Sequence, residues 1–182
     1  MTPSGIILGY HGCGAEVAER LVTGRDKLRP SRNGHDWLGE GIYFWAYDRR
    51  RAMEWAMKHT KKPAVVGGII NLGRCLNLVE RDAVERVGEA YSYLKEITEQ
   101  ENAAMPGNQR GANTLDNRVI QSLHFLRKLK NEPAYDTVMG YFAEGRPIYE
   151  GAELRHQNHL QICVRNTQSI LGYFLPKVEE TF

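Results

Sequence analysis

Long hydrophobic runs are missing from this 182-residue chain. No stretch approaches the ~18 consecutive apolar residues that a membrane-crossing helix needs, so a transmembrane helix is excluded on length. Cysteine is scarce. Cys13, Cys75 and Cys163 are too few and too scattered for a disulfide framework, and none has metal-ligand spacing. Buried thiols in a reducing compartment are expected, with Cys163 packing as a small hydrophobe in an apolar strand. An excess of one charge is also lacking: 24 Lys and Arg against 22 Asp and Glu leave a net +2, which neither demands nor forbids a nucleic-acid partner. The local basic clusters Arg49-Arg50-Arg51 and Arg127-Lys128-Leu129-Lys130 read as solvated helix faces. There is no internal repeat, low-complexity tract or Gly/Pro/Ser-rich linker, so residues 1–182 are expected to form a single domain. The segment Met1-Thr2-Pro3-Ser4-Gly5 lacks the basic region and apolar core of a secretory signal, and the expectation is a cytoplasmic protein.

Apolar residues make up 42% and charged residues 25% of the chain, ordinary usage for a folded domain. Ile6 to His11 is a β-type run closed by Gly12 and Gly14. Ala15 to Val22 carries Val17, Ala18 and Leu21 at helical spacing. Thr23 to Asp36 has no regular period and reads as a loop. Gly41 to Trp45 is a second strand. A helix follows with Ala52, Trp55, Ala56 and His59 at three- and four-residue steps and Asp48 as its N-cap. Ala64 to Leu72, β-branched and apolar, predicts a central strand, with Cys75 to Val79 continuing it after a turn at Gly73. Asp82 is placed to cap a helix with the stripe Val84, Val87, Tyr91 and Leu94. After Pro106-Gly107-Asn108, a second helix presents Leu115, Val119, Leu123, Leu126 and Leu129. Tyr135 to Phe142, His159 to Val164 and Ser169 to Phe174 read as strands. The loop Gly145 to Gln157 between the first two carries Glu150 and Glu153. Strands at both ends around helices grouped mainly in the middle make the class α+β.

The chemistry concentrates at two places. His11 ends a short apolar strand and is followed by Gly12. The run Gly39-Glu40-Gly41-Ile42-Tyr43-Phe44-Trp45 joins glycines that permit close backbone approach to three consecutive aromatics. These rings cannot share one side of a strand, so at least one must point away from the main core. A floor of rings suits a flat cationic ligand, while a core strand with an edge aromatic is the plainer reading.

Gly9-Tyr10-His11-Gly12 followed by Gly-Glu-Gly-Ile-Tyr-Phe resembles the first two motifs of the diphtheria-toxin-like branch of the ADP-ribosyltransferase superfamily, which includes the poly(ADP-ribose) polymerases. The resemblance runs in order from His11 to the strand at His159 to Val164. It implies split antiparallel β-sheets and NAD⁺ as co-substrate. His11 would hydrogen-bond a ribose hydroxyl, the backbone of Gly12 would hold the nicotinamide carboxamide, and Tyr43 would stack on the nicotinamide. Trp55, on the following helix, would supply a second ring, one residue out of the family's spacing. At the third position, where the family commonly has Glu, this chain has Gln161. Gln offers a dipole instead of a charge to the cationic transition state and cannot act as general base. Glu150 or Glu144 from the neighbouring loop is the reserve carboxylate.

The resemblance therefore implies a mono-ADP-ribosyltransferase with catalytic residues His11, Tyr43 and Gln161, one that builds no polymer. In size the chain is similar to bacterial or phage effectors and toxins. That implies a macromolecular acceptor (protein, DNA or RNA), an antitoxin or inhibitor protein as a further partner, no metal and no membrane. The loop Thr23 to Trp37, with Arg25, Lys27, Arg29, Arg32 and His35, is the acceptor-facing surface on this reading. The alternative is a binding module of the same fold without transfer activity. A third relative, the RNA 2′-phosphotransferase, relies on Arg and His residues that have no counterparts to place here.

Overall fold

The computed structural model describes residues 5–109 and 112–177. The chain is α+β: a mixed seven-stranded sheet with four helices among the described residues. The strands are β1 (Ile6–Gly14), β2 (Ile42–Ala46), β3 (Pro63–Asn71), β4 (Cys75–Asn77), β7 (Thr137–Phe142), β8 (His159–Val164) and β9 (Ile170–Phe174). A separate two-stranded ribbon pairs β5 (Asn108–Gln109) with β6 (Ala112–Asn113). The sheet order is β4-β7-β8-β2-β1-β3-β9. All pairs are antiparallel except β4 with β7, so the expected split antiparallel sheets are corrected to one mixed sheet that is antiparallel at every pair but that one.

Cys75 to Val79 does not continue the preceding strand. After the turn at Gly73 (φ +55°) the chain crosses to the opposite edge, where Cys75–Asn77 pairs in parallel with Thr137–Met139. Asp136 directs this crossover by accepting from Arg74 N at 2.9 Å. The strand Ala64 to Leu72 is interior, as its β-branched composition predicts, but lies one place from the β9 edge.

The helices are α1 (Ala15–Val22), α2 (Arg49–His59), α3 (Arg81–Gln100) and α4 (Thr114–Leu129). Asp48 caps α2 as expected, accepting from Arg51 N at 2.8 Å. Asp82 does not cap α3. Glu80 holds the cap position without a side-chain bond, and Asp82 sits inside the first turn, where its charge still complements the helix dipole. The α3 stripe is met at Leu94, which is buried, and at Val87, which packs against the core, but at its other two positions Ala83 and Ala90 are buried while Val84 and Tyr91 are exposed. Small residues allow α3 to lie close against α4, and the larger apolar side chains are displaced to its flank. In α4, Val119, Ile120 and Leu123 are buried and Leu129 is exposed.

Side chains alternate across a strand. In β2, Tyr43 and Trp45 face one way and Phe44 the other, where it is fully buried with Ile42, Ile70, Ile162 and Val164. The aromatic run is thus divided between two faces, as its length requires. Tyr43, Val138 and Cys163 pack toward α3 and α4. Trp45 and Val65 pack on Ala52 of α2. Helix α1 covers the other face through Ala18, Leu21, Cys13 and Val66. Two helical units therefore stand on one face of the sheet with a gap between them.

All three cysteines are buried and unpaired. Burial pushes the Cys163 thiol up to about 12, so it is protonated at neutral pH and not a nucleophile. His124 on α4 is half-buried, with its Nε2 closed to solvent and unpartnered, and this burial, with Arg165 and Arg127 nearby, lowers its pKa to about 3. An unfolded-state histidine titrates near 6.5. Stability is therefore complete above that pH and is lost as pH falls toward the folded value, by about 2 kcal/mol from this group at pH 5. Urea midpoints at pH 7 and pH 5 should differ less in His124→Leu than in the parent. An equal drop in both proteins would remove His124 from this account.

Candidate functional site

The sheet parts between β1 and β2. They share two register pairs, Gly9 with Ala46 and Tyr10 with Trp45, and no more. Where the ladder stops, the His11 ring takes over, with Nδ1 2.8 Å from Tyr43 O. A carbonyl can only accept, so Nδ1 carries the proton and Nε2 is left as an acceptor. Burial lowers the His11 pKa, which keeps the ring neutral.

Gly12 serves the same gap through its main chain. Tyr47 N donates to Leu8 O on the β2 side, whereas Leu72 N reaches Gly5 O and Ala15 N reaches Lys62 O on the β3 side. Backbone groups alternate along a strand, so Leu8, Tyr10 and Gly12 address β2. Beyond Tyr10 that partner has turned away, and the N–H and C=O of Gly12 face the opening. The side-chain direction of Gly12 is closed: an added Cβ would lie 2.2 Å from Ala52 O.

The opening is a cleft of about 550 Å³, within the usual range for a small-molecule site. His11, Gly12, Tyr43, Trp55 and Gln161 all line it. They come from β1, β2, α2 and β8, and the sequence-predicted set is brought together in full. Tyr43 is locked by its hydroxyl, which donates to Gly39 O at 2.7 Å and accepts from Leu38 N at 3.1 Å. Gly39 takes φ +83° to make that turn, a conformation glycine adopts without strain. Trp55 is partly exposed and stacks on His59, with ring centroids 4.0 Å apart and planes at 17°.

Gln161 lies opposite Trp45 on β2 and Gly140 on β7. Its Oε1 accepts from Trp37 Nε1 at 2.5 Å. Trp37 can lie there because residue 140 is glycine, where a Cβ would stand 2.6 Å from the indole. This bond leaves the Gln161 NH₂ as the group available to the cleft.

Of the reserve carboxylates, Glu150 is exposed and does not line the cleft, so it is withdrawn. Glu144 does line it, but is held by Arg51, whose Nη2 lies 2.6 Å and Nε 3.3 Å from Oε2. The other lining carboxylate, Asp36, accepts from Ser31 Oγ. Only Glu144 of the two is paired with a cation; Asp36 keeps its charge and accepts a single neutral hydrogen bond. From the loop Thr23 to Trp37, Arg29 and His35 reach the lining, while Arg25, Lys27 and Arg32 do not.

Sequence reasoning missed Trp37, Arg51, Phe142 and His159, all of which line the cleft. Two signals were present. Arg51, Trp55 and His59 recur at four-residue steps, one face of a helix, and His159 and Gln161 share a strand face by alternation. His159 is 5% exposed, with Nδ1 2.7 Å from Gln157 O. Burial lowers its pKa; the bond to Gln157 and the Glu144 and Asp48 charges oppose this, and the Arg51 charge adds to it.

Compared with known protein families, curated proteins and solved structures, the chain matches none of them. No helix is long and apolar enough to cross a membrane, and no cluster of three or more His, Cys, Asp or Glu could hold a metal ion, among the described residues.

Proposed function

We propose that the cleft binds NAD⁺ and that the chain is a mono-ADP-ribosyltransferase acting on a macromolecule. The observation that carries this reading is the convergence of His11, the free main chain of Gly12, Tyr43 and Gln161 where β1 and β2 separate. His11 Nε2 accepts from a ribose hydroxyl. The N–H and C=O of Gly12 match the complementary groups of a carboxamide. Tyr43 and Trp55 supply rings for the cationic nicotinamide, and the NH₂ of Gln161 donates to a second ribose hydroxyl. Breaking the nicotinamide–ribose bond builds positive charge on the ribose carbon, as in glycoside cleavage. Nicotinamide departs with the bonding electron pair, and the acceptor takes its place.

NAD⁺ titration followed by tryptophan fluorescence tests the reading. His11→Ala should weaken binding about tenfold, the worth of one lost hydrogen bond, with the far-UV circular dichroism spectrum retained. Equal affinity would remove His11 from the site.

One observation favours a second reading, an NAD⁺ or ADP-ribose binding module without transfer. Glu144 is paired with Arg51, and Gln161, which carries no charge, has its Oε1 taken by Trp37. Incubation with labelled NAD⁺ and cell lysate separates the two. Label retained on protein or nucleic acid supports transfer, and binding without any label transfer supports the module.

A further inference from the structure

Three buried polar atoms in the cleft residues have no hydrogen-bond partner: Trp45 Nε1, Arg51 Nη1 and His159 Nε2. Unpaired buried polar atoms are costly and uncommon, and here three belong to one cluster. The Arg51 guanidinium carbon lies 5.5 Å from the Trp45 ring centroid, and the Trp45 and His159 rings are 6.3 Å apart. Their roles are fixed by chemistry. Trp45 and Arg51 can only donate. Because Gln157 O must accept from His159 Nδ1, the Nε2 of His159 bears a lone pair. The cluster thus holds two donors and one acceptor, each closed to solvent as it stands, which a group with a hydrogen to give and lone pairs to receive would satisfy.

Resting on the transfer reading above, we propose that His159 is the general base that deprotonates the acceptor, a task Gln161 cannot perform. It follows that the acceptor atom arrives bearing a proton, as O–H or N–H, and not as a carboxylate. Arg51 Nη1 and Trp45 Nε1 bind the lone pairs of the incoming group. As the ribose–nicotinamide bond breaks and nicotinamide leaves with its electron pair, the acceptor atom bonds to the ribose carbon. Its proton passes to His159 Nε2. The resulting imidazolium faces Glu144, whose Oε2 lies 3.7 Å from Nδ1, and Arg51 holds that carboxylate in place. The charged groups around His159 are Arg51 and Asp48 at the start of α2 and Glu144 beyond β7. Gln161, two residues along β8, shares its strand face.

The test measures three quantities on the purified chain: NAD⁺ affinity, nicotinamide release, and label transfer from NAD⁺ to the protein and nucleic-acid fractions of a lysate across pH 4.5–8 (about the range over which a histidine titrates). His159→Gln should lower transfer about a hundredfold or more and abolish its acid limb, with NAD⁺ affinity within about threefold of the parent. Glu144→Gln removes the charge that stabilises the imidazolium and should move the acid limb to lower pH, a readout that stands even where His159→Gln folds poorly. Attached label should resist neutral hydroxylamine, which cleaves carboxylate esters. Transfer by His159→Gln with an unchanged acid limb, an unmoved limb in Glu144→Gln, or hydroxylamine-labile label would each overturn the assignment while leaving the transferase reading intact. A parent protein that neither binds NAD⁺ nor releases nicotinamide would overturn both.

Discussion

Gly12→Ala will unseat α2 and, with it, the cleft. The added methyl would meet the Ala52 carbonyl oxygen at 2.2 Å and its carbon at 3.2 Å. These are main-chain atoms that cannot swing aside as a flexible side chain would. Ala52 and Ala56 are fully buried where α2 rests on the sheet, so relief requires the helix to rise or β1 to shift. Overpacking of this kind costs about 1–3 kcal/mol, and more where backbone must move. We expect about 3 kcal/mol, read as the change in unfolding free energy in urea, together with loss of NAD⁺ binding. Gly14→Ala is the control. At that position the nearest atom is the Thr60 hydroxyl at 3.4 Å and φ is −78°, so stability should change by less than about 1 kcal/mol. Equal stability of Gly12→Ala and the parent would show that β1 and α2 leave room for a methyl group at residue 12.

The surroundings of Gly12 also mark how far the sequence alone could be read. That His11, Gly12 and Tyr43 line one cleft was legible only through the resemblance of their two short glycine-flanked segments to a known pair of motifs, since neither segment's own periodicity joins it to the other. The parting of β1 from β2 was not, since it depends on how many rungs two strands share. The β4 crossover was hidden for a similar reason. Cys75 to Val79 has the apolar content of any buried strand, and only the crossing after Gly73 decides which edge receives it. The α3 stripe held at Val87 and Leu94 but missed by one residue at its other two positions, because hydrophobicity favours Val84 and Tyr91, whereas close helix packing selects Ala83 and Ala90. His159 and Arg51 went unnoticed because a histidine in a strand and an arginine in a basic run each have an ordinary structural explanation. What singles them out is an unpaired buried atom, which no sequence displays.

The second large effect is expected at Gln161, and its sign is opposite to that of most active-site substitutions. In the folded chain Trp37 occupies Oε1, so the amide presents its NH₂, the positive end of its dipole, to the cleft. On the proposed reaction path that is the wrong polarity for a ribose carbon acquiring positive charge, although it serves to orient a hydroxyl. Gln161→Glu is isosteric and keeps the Trp37 bond, which becomes charge-assisted. The second oxygen then replaces the NH₂ with a carboxylate where the cation develops. Of the two acids that line the cleft, Glu144 is already paired with Arg51, which limits the like charge that a carboxylate so placed would meet. One well-placed electrostatic group is worth about 10²–10³ in rate. Nicotinamide release by Gln161→Glu should therefore rise by about 10²-fold over the parent, measured with saturating NAD⁺ and no added acceptor. Gln161→Ala should show no such gain, because it removes the dipole without supplying a charge, and it frees Trp37 from its anchor. A Glu variant no faster than the parent would mean that the ribose carbon lies away from residue 161. The site would then serve binding, and the module without transfer would become the better account of the cleft.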